Sequence, residues 1–218
     1  RLQEIIEDMI DVSLIDIDLL SINFHPVRIR QIISIIEEEV LNSIKSRNQT
    51  LTIADFDGSQ EIIYADPERL YQSLKNIITN GIKYTPDGGA ITIDGRRLSG
   101  FIEITVTDNG IGIDPENHAS IFEKFGLQKN VTLHSSGKVK FKGGGPGLGL
   151  PIAKGIIEAH GGSIWVESEG YDEVECPGST FHILLPVHSE LPDDKSDKLF
   201  DPVSKQTSTN LSILTTEE

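Results

Sequence analysis

Five of the seven residues in 143–149 are glycine, and an apolar helical repeat follows them directly. The repeat predicts a helix over 148–160, with Gly161 and Gly162 as its stop. The first amides of a helix have no intrahelical acceptor, and glycines let a ligand approach the backbone closely. The segment therefore predicts an anion site, such as a phosphate site, where this helix begins.

Two common glycine-rich phosphate motifs do not fit the segment. The dinucleotide-binding fingerprint follows a strand directly, whereas a long polar loop precedes these glycines. A P-loop requires lysine and then serine or threonine, where this chain has Leu150 and Pro151.

The preceding loop is basic in an acidic chain. Residues 126–145 contain no acidic residue, although the whole chain carries a formal charge of −15. Its lysines are Lys129, Lys138, Lys140 and Lys142. A mobile flap over a polyphosphate and a merely solvated loop both fit this pattern.

A helix that begins at Asp66 and Pro67 carries two stripes, because each residue turns the helix by about 100°. The apolar stripe consists of Leu70, Leu74, Ile77 and Ile78, and the polar stripe of Asn76, Asn80 and Lys83. Amide oxygens suit Mg²⁺, and a lysine can bind a phosphate. The polar stripe predicts a magnesium-phosphate groove or, alternatively, an ordinary solvated face.

A strand over 101–106 leads into Asp108 and then into a segment with Gly110 and Gly112. Glycine lets the backbone approach a flat ligand, and an ionised aspartate can accept a hydrogen bond from an exocyclic amine such as adenine N6. A plain turn is the alternative, because Asp-Asn-Gly is common in turns.

Periodicity outlines the remaining elements. We expect a helix over 27–46, strands over 51–54 and 61–64 around a turn at 57–59, and strand pairs 90–93 with 101–106 and 163–166 with 180–185. These elements indicate an α/β fold with a mixed sheet and helices on one face. Residues 1–20 predict an apolar helix, either a core helix or the end of a dimerising helix.

We expect three regions: the apolar helix over 1–22, a folded domain over 23–188, and a disordered acidic tail over 189–218. The net charge disfavours nucleic acid and membrane surfaces as partners, and no apolar run reaches the roughly 18 residues of a membrane span. A single cysteine, Cys176, is consistent with the cytoplasm. A start at Arg1 rather than methionine indicates a piece of a longer protein.

The histidines show no spacing typical of a metal site. His160 falls in the last turn of its helix, where a partly charged imidazole would complement the helix dipole in a structural role.

Together these motifs resemble the ATP-binding domain of two-component sensor histidine kinases, a branch of the superfamily of gyrase, mismatch-repair and heat-shock chaperone ATPases. The resemblance covers about residues 1–187 and rests on the order and spacing of the motifs. The matching segments are the N box (66–86), the first glycine box (108–113), the phenylalanine box (121–125), the second glycine box (145–150) and a third glycine box (178–181).

The resemblance implies a Bergerat ATP-binding fold: a two-layer α/β (α+β) sandwich with a mixed, mostly antiparallel sheet, preceded by the end of a dimerisation helix. It implies ATP and Mg²⁺ as cofactors, with Asn80 and Asn76 holding the metal. The implied catalytic residues are Asn76, Lys83 and Lys124. The implied nucleotide-binding residues are Asn76, Asn80, Lys83, Tyr84, Asp108, Gly110, Gly112, Ile113, Phe125, Lys142, Gly145, Gly147, Leu148, Gly149, Leu150 and Thr180.

Members of this family transfer the γ-phosphoryl group of ATP to a histidine on a dimerising helix and then to an aspartate of a response regulator. The implied partners are therefore the chain's own acceptor-histidine helix, in a homodimer, and a receiver domain. The acceptor motif itself is absent, because His25 precedes Pro26 in a helix break. This chain alone is not expected to autophosphorylate.

Two further departures concern the lid, which the resemblance places between the phenylalanine box and the second glycine box and which contains the lysines of the basic loop. An arginine common after the phenylalanine box is missing, and we hypothesise that the lid lysines substitute for it. Pro146 stands where many relatives carry a small residue, which would stiffen the hinge.

The position of Asn76 separates classes within the superfamily. Gyrase-like members hydrolyse ATP with a glutamate at this place, so Asn76 favours a kinase over an ATPase. A non-catalytic nucleotide-binding or dimerisation module and a serine-kinase regulator of sigma factors are the alternatives.

Overall fold

The computed structural model describes residues 2–17, 19–124 and 147–188. Its helices are α1 (Leu2–Asp16), α2 (Ile29–Ser46), α3 (Pro67–Tyr84) and α4 (Gly149–Ala159). Its strands are β1 (His25–Arg28), β2 (Thr50–Ile53), β3 (Ile62–Ala65), β4 (Ala90–Leu98), β5 (Phe101–Asp108), β6 (Ser163–Glu167) and β7 (Ser179–Pro186). None of the helices in these ranges is both long enough and apolar enough to cross a membrane.

The main sheet has five strands in the order β2-β4-β5-β7-β6. Strands β4 and β5 pair antiparallel, as do β5 and β7, and β6 and β7, which agrees with the two strand pairs expected from the sequence. Strand β2 pairs with β4 in parallel, whereas β3 pairs with β1 in a separate two-stranded sheet. The strands expected on either side of 57–59 therefore form, but they belong to different sheets, because alternation does not determine which strands pair.

The helix expected over 27–46 begins two residues later, at Ile29. Residues His25–Arg28 form β1 instead, with Pro26 opposite Tyr64 and Val27 opposite Ile63. Proline favours an extended residue before it, and pairing with β3 competes with helical hydrogen bonds at Val27 and Arg28.

Helices α2, α3 and α4 pack on one face of the main sheet, as the sequence predicts. Strand β7 shows the two faces clearly, because Phe181, Ile183 and Leu185 are buried in the core while the residues between them are more exposed. On the opposite face, His182 Nδ1 lies 2.9 Å from Oε1 of Glu103 and its ring stacks on Trp165. One face of the sheet therefore carries the core and the other a polar network.

Helix α1 packs along α4. Ile15 lies so close to Gly155 that a Cβ there would come within 2.6 Å of it, and Asp11 accepts hydrogen bonds from Arg69 at 2.6 Å and from Gln72 at 2.7 Å. Ile6, Met9 and Ile10 remain exposed. The helix thus has one face on the domain and a second apolar face that is open in the described part of the chain.

His160 joins the end of α4 to the start of α3. Its Nε2 accepts a hydrogen bond of 2.9 Å from the backbone N–H of Asp66, and its Nδ1 lies 2.8 Å from the carbonyl oxygen of Ile156. Burial lowers the pKa of His160 below its ordinary value. The imidazole is therefore neutral near neutral pH, and its expected structural role depends on hydrogen bonding and not on a partial charge.

This junction makes stability dependent on pH. The unfolded chain takes up a proton at His160 below about pH 6.5, whereas the native chain resists it, so stability is full above that pH and is lost as the pH falls. We expect the free energy of unfolding to fall between about pH 7.5 and 5.5, and to fall less in His160→Gln. Urea denaturation at several pH values measures both slopes, and equal slopes would contradict the assignment.

Candidate nucleotide-binding site

Helix α3 supplies the polar stripe. Asp66 caps the helix by accepting hydrogen bonds from the backbone N–H groups of Glu68 and Arg69, both at 3.1 Å. The apolar residues Leu70, Leu74, Ile77 and Ile78 are buried. The other side of the helix carries the half-buried Asn76, Asn80, Lys83 and Tyr84. The two stripes therefore separate as the helical period predicts.

The stripe meets the start of α4 at Asn76. Its side-chain N–H donates to the carbonyl oxygen of Gly149 at 3.1 Å, and Gly149 is the first residue of α4. The preceding Leu148 makes no side-chain cap to this helix. The first amides of α4, at Gly149 and Leu150, are consequently left without intrahelical partners beside Asn76.

The stripe meets the end of β5 at two glycines. Gly81 of α3 is buried, and a Cβ there would lie 3.9 Å from the Cβ of Asp108. Gly110 faces the carbonyl oxygen of Tyr84, which a Cβ would approach to 2.5 Å, and Ile111 N–H donates to that oxygen at 3.2 Å. Helix α3 can therefore lie directly against Asp108 and the loop that follows it.

Asp108 is 5% exposed and accepts hydrogen bonds from Ser179 and Gly110. Ser179 Oγ donates to Oδ2 at 2.7 Å, and the backbone N–H of Gly110 donates to Oδ1 at 2.9 Å. Burial raises the pKa of Asp108, and the hydrogen bonds from Ser179 and Gly110 oppose that rise. Both bonds favour the ionised form, which offers only acceptors.

The two hydroxyls of the third glycine box lie on opposite faces of the sheet. Ser179 is buried beside Asp108, on the helix side. Thr180, expected to bind nucleotide, points to the other face, where its Oγ1 lies 3.1 Å from Oγ1 of Thr107. Ser179 was missed from the sequence, although counting the alternation of β7 back from Phe181 would have found it.

The loop after Asp108 depends on Gly112, whose φ is +70°. A Cβ at Gly112 would overlap the carbonyl oxygen of Gly170. The next residue, Ile113, donates its N–H to Ser168 Oγ at 3.0 Å. The loop is therefore held against residues 168–171 as well as against α3.

Other expected site residues are placed differently. Leu148 packs with Ile152 and Ile156 in a small apolar cluster, and Leu150 is buried in the main core, so only their backbone can line a ligand site. Lys124 makes an ion pair with Asp16 of α1. Gly147 has a φ of +73° immediately before the helix start. Phe125, Lys142, Gly145 and the other lid lysines lie outside the described residues.

A cavity of about 360 Å³ opens at the Asp108 end of the sheet. Its lining consists of Thr107, Asp108, Glu167, Ser168, Glu169, Pro177, Gly178, Ser179 and Thr180. None of these residues belongs to α3, and Thr107 and Thr180 face away from the helices. The cavity therefore borders the candidate site at Asp108 but does not contain its polar stripe.

Comparison with known families matches residues 65–189 to the family described as histidine kinase-, DNA gyrase B-, and HSP90-like ATPase. The chain is 34% identical over 189 residues to the adaptive-response sensory kinase SasA of Synechococcus elongatus, covering 86% of this chain and 45% of that protein. It is 30% identical over 196 residues to the sensor histidine kinase WalK of Bacillus subtilis, covering 89% of this chain and 30% of that protein. The chain thus spans less than half the length of either relative.

Solved structures agree with the fold. The mycobacterial sensor histidine kinase MprB matches with a TM-score of 0.61 at 26% identity, covering 76% of this chain and 99% of that one. Full-length ShkA, solved in complex with AMPPNP, matches with a TM-score of 0.69 at 24% identity, covering 87% of this chain and 36% of that one. The two-layer sandwich with a mostly antiparallel sheet is therefore confirmed.

Gly112→Ala tests the contact beneath the loop. Gly100 has a similar φ of +78° but open space around its Cβ position, so Gly100→Ala measures the cost of left-handed backbone alone. We expect Gly100→Ala to lower the free energy of unfolding by about 1–2 kcal/mol, and Gly112→Ala by at least about 1 kcal/mol more. Chemical denaturation measures the difference, and equal losses would show that the contact with Gly170 relaxes freely.

Proposed function

The chain belongs to the histidine kinase-, DNA gyrase B- and HSP90-like ATPase family, and from that premise we propose that residues 23–188 are the ATP-binding catalytic domain of a sensor histidine kinase. The observation that carries the proposal is that both the first and the second glycine boxes contact α3, which carries the N box. Asn76 contacts Gly149, Gly81 lies against Asp108, and Tyr84 accepts a hydrogen bond from Ile111. Relatives named as sensory kinases support the same interpretation.

The adenine end of the site is Asp108. Its carboxylate would accept a hydrogen bond from the exocyclic amine, and Ser179 would lie beside it. Gly110, Gly112 and Ile113 would present backbone to the flat ring. We propose Ser179 in place of Thr180 as the hydroxyl next to the base, because it is the one that reaches Asp108.

The phosphate end of the site is formed by the α3 stripe and the start of α4. Lys83, whose Nζ lies 4.6 Å from the centre of the Tyr84 ring, would bind a phosphate. The backbone N–H groups of Gly149 and Leu150 would donate hydrogen bonds to phosphate oxygens at the helix start. Tyr84 would flank the nucleotide, and Gly147 would let the chain turn into α4.

Magnesium fits this donor set only as an ion shared with phosphate. No cluster of three or more His, Cys, Asp or Glu side chains that could hold a metal occurs in the described ranges. Asn80 and Asn76 offer amide oxygens, and Asn76 uses its N–H on Gly149, which leaves its oxygen for a ligand. When bound, Mg²⁺ would offset the negative charge of the phosphates.

The residues favour transfer over hydrolysis. An amide at position 76 cannot take a proton from water, so the site positions a phosphoryl group without activating a water molecule. We propose that the γ-phosphoryl group passes to a histidine on an acceptor helix, in a homodimer, and then to an aspartate of a receiver domain. Lys124 would assist transfer once its ion pair with Asp16 is broken. We also propose that the domain is located in the cytoplasm.

Nucleotide binding tests the proposal directly. We expect the wild-type chain to bind a non-hydrolysable ATP analogue more tightly with Mg²⁺ than without it. Asp108→Asn should weaken binding by about tenfold or more, since a buried amide replaces an acceptor that the base requires. Asn80→Asp should alter the dependence on Mg²⁺. Calorimetry measures each effect, and unchanged binding in both variants would contradict the site.

Substitutions of Ser179 and Thr180 test which face of β7 contributes a hydroxyl to the nucleotide site. We expect Ser179→Ala to weaken ATP-analogue binding by about threefold to tenfold, because Asp108 loses a hydrogen bond. Thr180→Ala, on the neighbouring residue but the opposite face, should change it by less than about twofold. The reverse order in calorimetric titrations would show that Thr180 is the nucleotide ligand.

A further inference from the structure

Two buried polar side chains, Arg47 and Gln49, lie between the end of α2 and the start of β2. Each is only 7% exposed, which is unusual for arginine and glutamine. Both lie outside the family-matched residues 65–189 and outside the motifs that form the candidate site. Their burial therefore needs an explanation other than the site chemistry already described.

The backbone between them directs both side chains toward α3. Asn48 has a φ of +50°, a left-handed conformation that asparagine tolerates better than most residues. The N–H groups of Arg47 and Gln49 both donate to the carbonyl oxygen of Ile44, at 3.3 Å and 3.0 Å. The turn is thus anchored to the last turn of α2.

The two side chains converge on the backbone at the C-terminal end of α3. The Arg47 guanidinium donates to the carbonyl oxygens of Ile82 and, at 2.7 Å, Thr85. The Gln49 side-chain N–H group lies 3.0 Å from the carbonyl oxygen of Ile82 and 2.8 Å from that of Thr85. We refer to Arg47 and Gln49 together as the C-terminal clamp of α3.

Helix ends explain why such a clamp is stabilising. The last carbonyl groups of a helix have no intrahelical donor, and a positive charge there interacts favourably with the helix dipole. Arg47 supplies both the charge and a planar fork of donors. Its Nε also lies 2.8 Å from the carboxylate of Asp87, whose side chain is 72% exposed.

The clamped carbonyls flank two residues of the proposed nucleotide site. Lys83 and Tyr84 lie between Ile82 and Thr85, so the path of their backbone is set by the clamp. The backbone position of Tyr84 also affects the loop after Asp108, because the carbonyl oxygen of Tyr84 accepts a hydrogen bond from the Ile111 N–H in that loop.

A second set of bonds holds the same two segments together. Gly88 N–H donates to the carbonyl oxygen of Arg47 at 2.9 Å, and Thr50 N–H donates to that of Gly89, also at 2.9 Å. The segment 47–50 is therefore fastened to 82–89 through both side chains and backbone.

We propose that Arg47 and Gln49 are positioning residues for nucleotide binding, which act through the backbone of Ile82 and Thr85 on Lys83 and Tyr84. The inference rests on the proposed function, because it concerns affinity for the same nucleotide. According to this inference, a segment outside the family-matched residues helps to set the geometry of the site.

The experiment compares Gln49→Leu with a control that destabilises the fold at a different place. Gln49→Leu removes the amide donors at similar size, whereas Val40→Ala truncates a buried side chain on the core face of α2. Asp87→Asn removes only the exposed partner of Arg47. Thermal unfolding by circular dichroism identifies a temperature at which every variant is folded, and calorimetry with a Mg²⁺-bound, non-hydrolysable ATP analogue is done there.

We expect Gln49→Leu to weaken binding by about tenfold, since small misplacement of site residues is costly. Val40→Ala and Asp87→Asn should remain within about twofold of wild type. If Gln49→Leu does not fold, Gln49→Asn, which retains the amide one methylene shorter, takes its place with the same expectation. Equal affinities for the Gln49 variant and Val40→Ala would overturn the inference while leaving the proposed function intact. Absence of binding by the wild-type chain would overturn the proposed function and the inference with it.

Discussion

The direct contact between helix α3 and the end of strand β5 determines the arrangement of the domain. It exists because Gly110 carries no side chain, so the loop behind Asp108 reaches the backbone of Tyr84 at the end of the helix. Any larger residue at Gly110 would meet the carbonyl oxygen of Tyr84 and separate the two elements. The buried carboxylate and the polar stripe of α3 share one site only because this separation does not occur.

Helix α3 is held at three points along its length. Its N-terminal end is capped by Asp66 and joined to α4 through His160. Its middle contacts the start of α4 through Asn76, and its C-terminal end is bound by the clamp residues. A helix fixed in this way presents a stripe of side chains with little freedom to shift, which is the property that a phosphate-binding surface requires.

The sequence predicts the local elements well and their long-range pairing poorly. The β4–β5 hairpin and the capped start of α3 follow from alternation, turn residues and an Asp-Pro pair, all of which act over a few residues. The parallel pairing of β2 with β4 and the small β1–β3 sheet depend on contacts between distant segments, which no local pattern reports.

The same distinction holds within the candidate site. The α3 stripe and Asp108 could be identified from spacing. The choice between Ser179 and Thr180 requires the register of β7, since moving by one residue changes the face. The neutral state of His160 also escaped prediction, because it depends on burial where the end of α4 meets another element, the start of α3.

The parallel pairing of β2 has a consequence for the order in which the molecule assembles. Thr50 meets Ala90 only after the chain has passed through β3 and the whole of α3, so this edge of the sheet closes a long loop. Closing such loops is entropically unfavourable until other contacts compensate, and non-local pairings slow folding. Because the turn at Asn48 precedes β2 directly, closing this edge also fastens the donors of Arg47 and Gln49 at the end of α3. A folding intermediate that lacks β2 would thus contain a complete hairpin and a capped helix, yet an unfinished version of the proposed nucleotide site.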